Sequence, residues 1–169
     1  MENEDDILLT LRNEMRCSSL HQHAAGVLYK NGNMQEAADC YIEIIDINPD
    51  DAVAHENLGI IINATKGNPD KAIKHLTKAI RLNPNGAGAF YNRGNSYSSI
   101  GDLDRAISDY TQAIRLKPDY AWAFYNRGLS YKKKGDYTRA FSDFSKAYRL
   151  DPTDRQAKNQ LDELHFMGY

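Results

Sequence analysis

The chain has 169 residues, 41% hydrophobic and 26% charged, enough for one sizeable core and the balance of a globular protein in water. Its 21 Lys and Arg against 23 Asp and Glu give a net charge of −2, which argues against nucleic acid as a partner; the one basic run is Lys132-Lys133-Lys134. No apolar run reaches the length of a membrane span and the start, Met1-Glu2-Asn3-Glu4-Asp5-Asp6, is acidic where a secretory signal is basic, so a cytoplasmic chain with no membrane contact is expected.

Residues 1–17 form an acidic segment that contains Asp5-Asp6-Ile7-Leu8-Leu9-Thr10-Leu11. It is expected either to pack as an extra helix through Ile7, Leu8, Leu11 and Met15, or to occupy a groove in the same or a neighbouring molecule. Cys17 and Cys40 make no disulfide framework and read as reduced thiols.

From residue 18 onward the chain repeats. Residues 87–120 and 121–154 are near-copies at a constant offset of 34: Gly94 and Gly128, Ala106 and Ala140, Ala113 and Ala147, Pro118 and Pro152. Residues 52–86 carry the same pattern as Leu58-Gly59, Gly67, Ala72, Leu76, Ala79 and Pro84. The most divergent unit, 18–51, has Ala25, Leu28, Gly32, Ala37, Tyr41, Ile44 and Pro49.

The spacing inside a unit encodes two helices. Phe90, Gly94 and Tyr97 recur at i, i+4 and i+7, one stripe of an amphipathic helix, and Ala106, Tyr110 and Ala113 repeat it. Gly101-Asp102 is the turn between them, and Pro118 ends the second helix because the residue before a proline leaves helical geometry. Gly94 and Ala106 let the two helices approach closely while the aromatic residues fill the remaining space. In the second unit Gly59 and Gly67 stand 8 apart, against 7 from Gly94 to Gly101, which predicts a lengthened first helix or a bulged turn. Residues 155–169 begin another first helix, more polar, with Ala157, Leu161 and Leu164 in the stripe.

The run of aromatic, Gly, Tyr, Ala, aromatic, Ala and Pro in these units resembles the tetratricopeptide repeat (TPR) family. The match is nearly complete in 87–120 and 121–154, with Arg93 and Arg127 where Leu is usual. The resemblance covers 18–154 as four repeats and implies an all-α fold: a right-handed superhelical solenoid of helix-turn-helix repeats, with 155–169 as capping helix and tail. Stacked units of this kind share one continuous core, because no unit buries its apolar face alone.

In this family the first helix of each repeat lines a concave groove, chiefly through its second, fifth, sixth, ninth, twelfth and thirteenth positions. The sixth position gives His23, Asn57, Asn92 and Asn126, side chains that both donate and accept, as an extended peptide backbone requires. The alternative is that these asparagines bond the neighbouring helix. Around them stand Tyr91, Trp122 and Tyr125 as aromatic anchors, Asn95 and Leu129 at the ninth position, and Lys132 and Lys133 at the end of the surface. The expected occupant is a protein or peptide segment carrying acidic and apolar residues.

The family's two-carboxylate clamp for chaperone tails is not matched in any frame. Its cationic positions hold Gln22, Gly88 and Asn92 in the first frame, then Glu56, Trp122 and Asn126, then Tyr91, Gln156 and Gln160; its first asparagine position holds Gly26, Ile60 or Asn95. Tight binding of such tails is not expected, since carboxylate recognition rests on charge-assisted bonds.

Catalysis, cofactors and metals have no sequence support. Gly86-Ala87-Gly88 lacks the lysine of a phosphate loop, and Cys17, His21 and His23 lack a further ligand on one helix face. His21 and His55 fall where Phe90 and Phe124 stand, which points to packing. The reading is a non-catalytic interaction scaffold. The alternative, a self-assembling scaffold, rests on charge polarity: 3 cations against 11 anions in residues 1–51, and 16 against 10 in residues 52–154.

Overall fold

Every turn between the helices among the described residues carries a glycine or a proline together with an aspartate or an asparagine. The computed structural model describes Gly26 and residues 29–169; the segment 1–17, with the Cys17, His21 and His23 cluster, lies outside the described residues. Following Gly26, Tyr29 and Lys30, which are helical, come α1 (Met34–Ile47), α2 (Ala52–Ala64), α3 (Pro69–Leu82), α4 (Ala87–Ser99), α5 (Leu103–Leu116), α6 (Ala121–Lys133), α7 (Tyr137–Leu150) and α8 (Arg155–Phe166). No strand occurs among the described residues, and no helix there is long and apolar enough to cross a membrane.

Helix starts follow from capping chemistry. The side chains of Asp51, Asn68, Asp102, Asp136 and Asp154 each accept a hydrogen bond from the first-turn backbone of α2, α3, α5, α7 and α8. Helix ends follow from proline. Asn48, Asn83, Lys117 and Asp151 precede Pro49, Pro84, Pro118 and Pro152, and all four leave the helix at φ between −129° and −135° with ψ near 89°.

The extra residue in the second unit is a bulged turn, not a longer helix. Helices α2, α4 and α6 each have 13 residues. After α4 and α6 the chain turns through Gly101 at φ +82° and Gly135 at φ +79°, and the next amide bonds back five residues, Asp102 to Tyr97 and Asp136 to Tyr131. After α2 the residue with positive φ is Lys66, at +52°, while Gly67 takes Asp102's role and bonds to the Ile62 carbonyl. The added residue is therefore Asn68, which caps α3.

Within each pair the helices meet through glycine. A Cβ on Gly94 would stand 2.7 Å from the Tyr110 ring, and one on Gly128 would stand 2.9 Å from Phe144. Tyr110 and Phe144 are buried beside Ala106, Ala113, Ala140 and Ala147, so the stripes read from sequence form the core. Ile73 of α3 packs on the Tyr97–Tyr110 cluster, Ile114 of α5 on the Phe124 cluster, and Ala157 and Leu164 of α8 close the far end. The result is an all-α solenoid ending in a capping helix.

Arg93 and Arg127, the departures from the usual leucine, are built into this packing. Arg93 donates to both oxygens of Asp109 on α5 at 2.7 and 2.8 Å and to Thr77 on α3 at 3.1 Å; Arg127 repeats this with Asp143 at 2.8 Å twice and Thr111 at 3.0 Å. Each arginine thus ties its own pair of helices to the preceding one. His55 is buried in the place of Phe90 and Phe124. Its Nε2 lies 3.1 Å from the Pro49 carbonyl, which only accepts, so its Nδ1 accepts from His75 Nδ1 at 3.0 Å.

Candidate functional site

Helices α2, α4 and α6 lie side by side and carry the polar first-helix positions onto one face. Two cavities open there. One, of about 560 Å³, is lined by Tyr29, Ile60, Asn63, Tyr91, Asn92, Asn95, Ser99 and the turn around Lys66 and Gly67. The other, about 240 Å³, is lined by Asn95, Ser98, Ser99, Tyr110, Asn126, Leu129 and Lys133. Asn95 and Ser99 belong to both, which makes the two one groove across α2, α4 and α6.

The asparagines are tied into the stack, Asn92 and Asn126 through their nitrogens alone. Asn92 Nδ2 donates to the Gly88 carbonyl at 2.9 Å, within its own helix. Asn126 Nδ2 donates to the Tyr91 hydroxyl and to Asn95 Oδ1, both at 3.0 Å, and Tyr110 also donates to Asn95 Oδ1, at 2.8 Å. Asn63 bridges α2 to α4, donating to the Asn92 carbonyl at 2.9 Å and accepting from Ser96 at 2.8 Å. Bonding to neighbouring helices is therefore real. It leaves two amides half used: among the described residues the Asn92 and Asn126 side-chain oxygens accept no hydrogen bond, and both residues are half-buried.

Six of the ten residues expected at the site line the groove: Tyr91, Asn92, Asn95, Asn126, Leu129 and Lys133. The other four do not. Asn57 lines neither cavity. Trp122 is 50% exposed and meets Tyr125 edge-on, with ring centroids 6.3 Å apart. Tyr125 packs on Phe144 at 5.6 Å and beside the cluster that holds Ala157 of α8. Lys132 is a correction to the expected pair of groove cations: its Nζ donates to Gln160 at 2.8 Å and Glu163 at 2.6 Å, both on α8. It fastens the cap, and Lys133 is the cation that faces the groove.

Burial sets the electrostatics. It pushes the Tyr91 phenol up, against the hydrogen bonds from Asn95 and Asn126 that pull it down. The Tyr120 phenol is pushed up to about 12, first by burial and then by Tyr91 and Glu56. Glu56 is raised by burial alone. The sequence reading missed Asn63, Ser99 and Glu56. Asn63 occupies a twelfth position whose counterparts are Ser98 and Lys132, so a search for one repeated residue type passes over it. Among the described residues no group of three metal-ligating side chains occurs.

On the opposite side, α1 and α3 leave a cavity of about 630 Å³ lined by Met34, Ala38, Ile42, Ile45, Ile62 and His75 among others. It is more apolar than the inner groove and has no row of amides.

Comparison with known proteins agrees with this architecture. A family model described as TPR repeat matches residues 64–101 and 94–135, and two described as tetratricopeptide repeat match 121–154 and 18–51. No curated protein sequence matches the chain. Among solved structures, MamA is similar at 24% identity and a TM-score of 0.77, over 85% of this chain and 84% of that one. The pilF protein of Pseudomonas aeruginosa reaches a TM-score of 0.82 at 19% identity, over 92% of this chain and 71% of that one. YrrB, described as a TPR protein with an unusual peptide-binding site, reaches 0.75 at 22% identity, over 91% and 86%. At these identities the likeness to solved structures speaks for the fold alone. The matched repeats, the helix pairs and their glycine contacts agree: this chain belongs to the tetratricopeptide repeat family.

Proposed function

We propose that the protein is a non-catalytic interaction scaffold that takes an extended segment of a partner protein along the groove of α2, α4 and α6. The observation that carries this reading is the pair of half-used amides. A backbone lying in a water-poor groove must have its N–H and C=O groups met, and Asn92 and Asn126 offer side-chain oxygens as acceptors beside the amide of Asn95. Tyr91 and Leu129 supply apolar contact, and Lys133 favours an acidic residue at that end. The similar fold of YrrB, a TPR protein with an unusual peptide-binding site, is in keeping with a groove of this kind.

The groove and the outer cavity make different predictions for site-directed photo-crosslinking. With a photoreactive residue at Ser99 the partner is captured, and with one at Ile42 of α1 it is not. Asn95→Asp keeps the oxygen that Tyr110 and Asn126 use and removes the amide donor from the groove; it is expected to lower capture at Ser99 about tenfold. Capture at Ile42 alone would overturn the reading.

A further inference from the structure

One carboxylate on the first-helix face has no counterpart charge. Glu56 holds the fifth position of its helix, the place that Tyr91 holds in α4, and it reaches across to α4, where a Cβ on residue 88 would collide with its Oε1. Gly88 leaves the room that the carboxylate fills. Among the described residues Glu56 makes no hydrogen bond and no ion pair, and burial, unopposed by any cation, raises its pKa. Two aromatic rings stand on this side: Tyr91 follows Gly88 by three residues on α4, and its ring centroid lies 4.8 Å from that of Tyr120, whose phenol the Glu56 charge raises. The neighbouring cation, Lys117, lies 5.0 Å from the Tyr120 ring centroid and forms no ion pair with Glu56.

A half-buried carboxylate with two tyrosine rings is a site for a cation. The carboxylate supplies charge-assisted hydrogen bonds, the rings supply their negative faces, and a bound ammonium or guanidinium removes the cost of leaving the carboxylate unpaired. We propose that Glu56, Tyr91 and Tyr120 form a subsite for a lysine or arginine side chain carried by the segment in the groove. This rests on the groove reading above and adds to it. With Lys133 at the other end, the preferred segment carries a cationic residue over α2 and α4 and an acidic one over α6.

The test uses the full chain and fluorescent decapeptide pools with random flanks and a fixed central lysine, arginine, norleucine or glutamate. Wild type is expected to retain the lysine and arginine pools about tenfold better than the norleucine pool. Glu56→Gln, nearly the same in shape, abolishes that preference at an unchanged melting temperature; Glu56→Lys turns it toward the glutamate pool, and Lys117→Ala keeps it. Equal retention of lysine and norleucine pools by wild type, with both lowered by Asn95→Asp, keeps the groove and overturns the subsite. A lysine preference that survives in Glu56→Gln also overturns it. Retention of no pool by wild type overturns groove and subsite together.

Discussion

Asp109 and Asp143 are only 6% and 5% exposed, and a carboxylate so placed is tolerable because a guanidinium meets it with two parallel N–H donors. The Asp109 hydrogen bonds in turn raise the Arg93 pKa, so the guanidinium keeps its charge. Removing one member leaves the other charged and unpaired. Asp109→Ala is expected to lower stability by about 3 kcal/mol in urea unfolding, while Arg93→Leu with Asp109→Ala, which restores the family's usual leucine, recovers most of it. A single variant within about 0.5 kcal/mol of wild type would show that the pair is not integral to the packing. The triplet was visible in the sequence only as residue types recurring 34 apart, Thr77 with Thr111, Arg93 with Arg127 and Asp109 with Asp143. Recurrence states that a position matters to the repeat. It does not state that a charge there is taken into the stack.

At the level of elements, the helices were legible because apolar spacing, capping residues and prolines all mark the same boundaries. Turns were less so. Counting glycines makes Gly67 the counterpart of Gly101, yet the left-handed place is Lys66's, because an added residue shifts which position closes the helix and the sequence does not say which. The same limit explains Lys132. Helix register places it on the groove side of α6, but Gln160 and Glu163, some thirty residues on, bring α8 over it. Lys132→Ala is therefore expected to act on the cap. Amide exchange in α8 should quicken several-fold, in line with the loss of up to about 1 kcal/mol for a pair exposed on one side, while retention of any groove ligand changes less than twofold. Lys133→Ala should do the reverse. If Lys132→Ala weakens ligand retention as much as Lys133→Ala does, the assignment of Lys132 to the cap fails.

Across the whole molecule, each helix pair touches only its neighbours, so stability is a sum of local terms and the joints between pairs decide whether the chain unfolds as one body. The joint between the α2–α3 and α4–α5 pairs is held by Asn63 on the inner side, bonded to the Asn92 carbonyl and Ser96, and by Thr77 on the outer side, bonded to Arg93. The joint between α4–α5 and α6–α7 has Asn126 on Tyr91 and Asn95, Arg127 on Thr111, and the tilted ring contact of Tyr91 and Tyr120. The first joint has fewer ties, and its inner tie is a single residue, beside which Ser96 bonds only within its own helix, to the Asn92 carbonyl at 3.2 Å. Asn63→Ala with Thr77→Ala is expected to remove about 2–4 kcal/mol and to split urea unfolding into two phases, with the residues before α4 melting first and the slope of each phase below that of wild type. Fluorescence from Trp122 on α6 should then lag far-ultraviolet circular dichroism, which reports all helices. Coincident transitions at an unchanged slope would mean that the solenoid's cooperativity rests on apolar contacts such as Ile73 against Tyr97 and Tyr110, and that the amide joints contribute only locally.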